Sequence, residues 1–150
     1  MSDAIYTAPR PARRVTLRFF TDTQESEIQE VVDALNAVLP SWVDEIELRR
    51  TADVDYSARI NMMPRNRCVR VELPVHFWNF PAKERRSLII HEYSHAATAM
   101  LNEAFHIAVE SMLPDEKDPS RAVIESNWEV RLEETTTDLA AIFERLLLNA

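Results

Sequence analysis

The sequence predicts an α+β fold: one small domain over residues 1–150, with the element order β-α-β-β-β-α-α. Two observations point to it. Short segments with alternating apolar residues are confined to the first half of the chain, and two long helical patterns fill the second. A length of 150 residues suits one core, and no internal repeat or low-complexity tract divides it.

Residues 1–12, with Pro9 and Pro11, read as a flexible arm. Val15, Leu17 and Phe19 alternate with polar residues and predict a first strand. Asp22 precedes Glu25 by three residues, the spacing of a capping box. Ile28, Val31, Val32, Leu35, Val38 and Leu39 then follow at helical spacing until Pro40. Val43, Ile46 and Leu48 predict a second strand, residues 54–62 a weaker third, and 68–78 a fourth extended segment. Pro74 inside that last segment argues for an edge strand. Between the third and fourth, Pro64 to Arg67 reads as a turn, with Asn66 the natural residue for a left-handed conformation. Pro81 opens a long helix reaching about Val109. After a polar loop, Asp118 as N-cap and Pro119 at the first helical position start a last helix reaching about Leu148. Its apolar stripe reads Ile124, Trp128, Leu132, Leu139, Ile142, Leu146.

Composition excludes several function classes. The chain contains no glycine. A P-loop, a Rossmann fingerprint, a kinase glycine loop and a G-x-S-x-G elbow are therefore all absent. A net charge of −8 argues against sequence-independent binding to nucleic acid. Cys68 is the single cysteine; it sits in an apolar alternation and reads as a buried, inert thiol. The first residues lack the apolar core of a signal peptide, and no run approaches 18 apolar residues. The expectation is a soluble, cytoplasmic protein with no membrane partner.

Chemistry concentrates at residues 91–95, His-Glu-Tyr-Ser-His, which fits H-E-x-x-H. On a helix the two imidazoles lie about 40° apart around the axis and point from one face, able to grip one Zn²⁺. Glu92 lies about 100° round from His91, placed to act as a base on a metal-activated water rather than as a ligand. A third protein ligand must come from elsewhere. His76, His106 and the acids of the last helix are the candidates. His106 shares the face of His95, but eleven residues put it roughly 16 Å farther along a continuous helix. In the last helix Glu125, Glu129 and Glu133 form a row that reads as a solvated face. Glu134 and Asp138 lie on the opposite flank, bracketed by apolar residues; a plain surface pair between Glu134 and Arg131 is the bland alternative.

These residues resemble the gluzincin, thermolysin-like branch of zinc metallopeptidases. There H-E-x-x-H is joined by a later E-x-x-x-D, which Glu134-Thr135-Thr136-Thr137-Asp138 matches. The small regulatory metallopeptidases that cleave repressors pair the same motif with a downstream acid, and look similar. The resemblance implies a zincin-like fold with zinc held by His91, His95 and Glu134, and with Asp138 orienting His91 from its far nitrogen. It further implies a peptide or protein substrate extended along an edge strand, here residues 68–78. Two departures stand out. Glu133 precedes Glu134 where the thermolysin-like pattern has Asn, and the family's oxyanion-stabilising Tyr or His has no identifiable counterpart. Tyr56, His76, His106 and Arg131 are the side chains left to consider for that role. The expected function is a zinc metallopeptidase in which Glu92 activates the water. The alternative is a catalytically inactive zincin-like module for metal binding or protein interaction.

Overall fold

A computed structural model describes residues 12–148 apart from Asp53; the expected arm lies, for residues 1–11, outside the described residues. The elements follow the expected order: β1 (Arg14–Arg18), α1 (Asp22–Leu35), β2 (Glu45–Thr51), β3 (Arg59–Met63), β4 (Cys68–Pro74), α2 (Ala82–Met112) and α3 (Pro119–Leu148). Short 3₁₀ turns cover Pro64–Asn66 and Val75–Asn79. The strands form one sheet in the order β1-β2-β4-β3. β1, β2 and β4 run parallel, and β3 pairs antiparallel with β4.

One face of the sheet is apolar. Cross-strand pairs Ile46–Val69 and Leu48–Val71 lie on it with Leu73, all fully buried. Ile28, Val32 and Leu35 of α1 and Ile89, Ile90 and Tyr93 of α2 close over them. Each such aliphatic side chain contributes about 1.5–3 kcal/mol by leaving water, so this layer is the principal source of stability. Residues of the other parity make a charged mosaic. Glu47, 7% exposed, is held between Arg18 at 2.9 Å and Arg70 at 2.8 Å. Cys68 is buried as expected, and burial, followed by Glu45 and Glu47, pushes its thiol above the ordinary range.

Several boundaries differ from the sequence reading. Thr21, not Asp22, caps α1: its side chain accepts from Gln24 N–H while the Gln24 side chain accepts from Thr21 N–H. Phe19 leaves β1 with φ 68 and stands exposed. The left-handed turn residue is Arg67, φ 54, rather than Asn66. A β-carbon in that conformation costs about 1–2 kcal/mol. Here Arg67 is anchored by Asp44, by Ser41 O at 3.0 Å and by its own N–H on Pro64 O. β4 is an inner strand and β3 the edge, which corrects the expectation drawn from Pro74. Pro74 is the last residue of β4, where a missing N–H interrupts no continuing ladder.

α2 and α3 form a long antiparallel hairpin. Asp118 caps α3 as expected, accepting from Ser120 N–H at 2.8 Å. Arg85, near the start of α2, holds Glu27 of α1 at 2.8 and 2.7 Å, lies over the Trp78 ring and donates to Phe80 O. The buried side of α3 is turned from the expected stripe. Thr136 and Ala140 are the most buried of its described residues, flanked by half-buried Leu132, Leu139, Phe143 and Leu147. Ile124, Ile142 and Leu146 are exposed instead. Small side chains at 136 and 140 let the helices approach closely, and the helix rotates to present them.

Candidate metal centre

That rotation decides which acid meets the histidines. His91 and His95 project from α2 as the helical spacing requires, ring centroids 5.1 Å apart and nearly perpendicular. The carboxylate facing them is Glu133. Its Oε1 lies 3.0 Å from His91 Nε2 and its Oε2 lies 3.6 Å from His95 Nε2. One ligand atom from each of the three residues falls within 4.8 Å of the others.

Glu134, the ligand implied by the family resemblance, is turned away. It accepts from Arg131 Nη1 at 2.8 Å, an exposed i,i+3 pair. One residue is about 100° on a helix, so Glu133 and Glu134 cannot share a face. Asp138 lies about 140° round from Glu133 and is exposed, not seated behind His91. The row containing Glu133, expected to be solvated, borders the packed side of α3. The structure brings Glu133 to the histidines and leaves Glu134 on the Arg131 side; small Thr136 lies one turn beyond Glu133.

The three side chains lie within reach of one another and could hold a metal ion. Bonds of about 2.0–2.1 Å in a tetrahedron place neighbouring donors about 3.3–3.4 Å apart. The His91 and His95 separations from Glu133, 3.0 and 3.6 Å, run to different carboxylate oxygens and lie on either side of that value. Burial lowers the His95 pKa, Glu133 opposes the shift and His91 adds to it. A neutral imidazole offers the lone pair a metal needs. The site is half-buried on the helix side and open on the other, where Glu133 also borders a shallow concavity of about 790 Å³ with Glu129, Glu134 and Asp138.

Glu92 sits on the adjoining face of α2, against the edge strand. Burial raises its carboxyl pKa; His91 and the backbone N–H of Ile60 in β3 act in the opposite direction, and Glu133 raises it further. The side chains considered for oxyanion stabilisation are engaged elsewhere. Tyr56 donates to Glu72 at 3.1 Å, on the sheet face opposite the helices. His76 packs edge-on against Phe80, and Arg131 holds Glu134. His106 is exposed and beside Phe105, fifteen residues or about 22 Å along α2 from His91.

No helix among the described residues is long and apolar enough to cross a membrane. Compared with protein-family models, with curated proteins and with solved structures, the chain finds no match in any of the three.

Proposed function

We propose that the chain is a metal-dependent peptidase of zincin type, with zinc held by His91, His95 and Glu133 and with Glu92 as the base. The observation that supports this reading most is the approach of both imidazole Nε2 atoms to the two oxygens of one carboxylate, beside a second, partly desolvated carboxylate. When bound, the cation supplies Lewis acidity: it polarises a substrate carbonyl and makes water a stronger acid. Glu92 takes the proton from the attacking water and returns it to the leaving amine nitrogen, and its raised pKa makes the carboxylate a stronger base for the first of these transfers. Ile60 N–H orients that carboxylate from the strand side. The substrate is a peptide or protein segment, extended along β3 rather than β4, because β3 is the edge strand nearer α2 in the sheet order β1-β2-β4-β3. A cytoplasmic location remains part of the proposal.

The test pairs metal content with cleavage. The purified chain should hold about one zinc, lost in His91→Ala and in Glu133→Gln and kept in Glu134→Gln. Glu92→Gln should keep the metal and lose at least 100-fold in cleavage of a peptide library. Metal that survives Glu133→Gln but not Glu134→Gln would return the ligand role to Glu134. A chain without metal at all overturns the reading. Stoichiometric zinc with no cleavage by the parent chain selects the inactive metal-binding module, a reading favoured by the absence of an oxyanion-stabilising side chain at the site among the described residues.

A further inference from the structure

The apolar stripe of α2 outlasts the layer that covers it. In the first half of the helix Ile89, Ile90, Tyr93 and Ala96 pack on the sheet and α1. The last covered turn is marked by Trp42, whose Nε1 donates to Ala96 O at 3.1 Å. Beyond it the same face continues at helical spacing through Met100, Leu101, Ala104, Ile107, Ala108 and Met112. Its large side chains are 51%, 60%, 61% and 78% exposed at Met100, Leu101, Ile107 and Met112. The face, uncovered by the described residues, runs about 22 Å along the helix and is on the order of 500 Å², at the upper end of what a monomer exposes.

Charge identifies the kind of occupant. Between residues 97 and 130 seven acidic side chains stand against two basic ones, −5 of the chain's total of −8. Glu103 and Glu110 rim the stripe directly, on the flank away from α3 and both exposed. A second copy of the chain laid on this face would bring those acids against their own counterparts. A helix with an apolar side and lysines or arginines beside it complements both features. Methionines at both ends suit the surface to side chains of varied shape. We propose that residues 97–112 of α2 are the docking face for a basic amphipathic helix of another protein.

The experiment is a calorimetric titration with an 18-residue helical peptide of leucine and lysine, all leucines on one side, and with its leucine–glutamate counterpart. The lysine peptide should bind 1:1, and the glutamate peptide at least tenfold more weakly. Leu101→Glu with Ile107→Glu should weaken lysine-peptide binding at least tenfold even though it adds negative charge, which separates apolar docking from simple attraction. Glu103→Lys with Glu110→Lys, both at exposed positions, should weaken it by a similar factor at low salt. Equal affinity for the parent and the Leu101→Glu, Ile107→Glu chain overturns the proposal. So does a dimer in sedimentation that the same pair of substitutions dissolves, because the face then belongs to a second copy.

Discussion

Tyr93 is 1% exposed, and its hydroxyl makes no hydrogen bond; Thr136, fully buried, has an equally unpaired hydroxyl. Burial, followed by a smaller contribution from Cys68, pushes the Tyr93 pKa well above the phenolic range. An unpaired buried hydroxyl is a cost, so Tyr93→Phe should be neutral or stabilise by up to about 1 kcal/mol. A denaturant titration checks this, and a loss beyond about 1 kcal/mol would show that the hydroxyl has a partner. Residue identities at special positions were legible only to within one place. Thr21 takes the cap assigned to Asp22, Arg67 the left-handed turn assigned to Asn66, and Glu133 the place assigned to Glu134. A shift of one residue turns a helical side chain by about 100°. The Thr21 cap is a local Thr21–Gln24 pair, but E-x-x-x-D cannot resolve the other two cases, because their deciding contacts come from distant residues: Ser41 and Asp44 for Arg67, the α2 histidines for Glu133.

Among the elements, α2 and α3 were the most legible, since the prolines and the polar loop bound them and H-E-x-x-H needs only helical spacing. The rotation of α3 was not. It follows from small Thr136 and Ala140 facing α2, and a hydrophobicity pattern that selects Ile142 and Leu146 overlooks them. The edge assignment failed for a related reason: Pro74 reports on one end of β4, not on its neighbours. Past the sheet, the hairpin relies on its own small cluster. Phe105 and Trp128 stack with centroids 4.1 Å apart, and Trp128 Nε1 donates to Asn102 Oδ1 at 2.7 Å. Trp128 is only half-buried, so Trp128→Ala should cost roughly 2–3 kcal/mol, below the usual range for buried tryptophan. Hydrogen exchange should rise in residues 100–130 and stay unchanged in β2 and β4. A uniform rise across both would show that hairpin tip and sheet open as one unit.

For the whole molecule, the proposed ligands couple two helices that otherwise meet mainly through side-chain packing. A cation held by His91 and His95 of α2 and Glu133 of α3 binds only the closed hairpin. At 100 times its dissociation constant it should add about 2.7 kcal/mol. For a chain of this size that raises Tm by about 5–10 °C. A chelator should remove the increment from the parent chain and leave Glu133→Gln unaffected; equal shifts in both would place the ion elsewhere.

The order of elements along the chain has a consequence for biosynthesis. β1 to β4 all precede α2, so the ribosome delivers this sheet before a helix that helps to cover its apolar face. Until residues 82–112 emerge, Val69, Val71 and Leu73, fully buried in the finished molecule, lack Ile89, Ile90 and Tyr93 of α2 from their cluster. The nascent chain therefore passes through a stage with a bare hydrophobic sheet and an unguarded β3 edge, the kind of species that holdase chaperones engage. The proposed metal ligands, all carried by the last two helices, become available only when that interval closes.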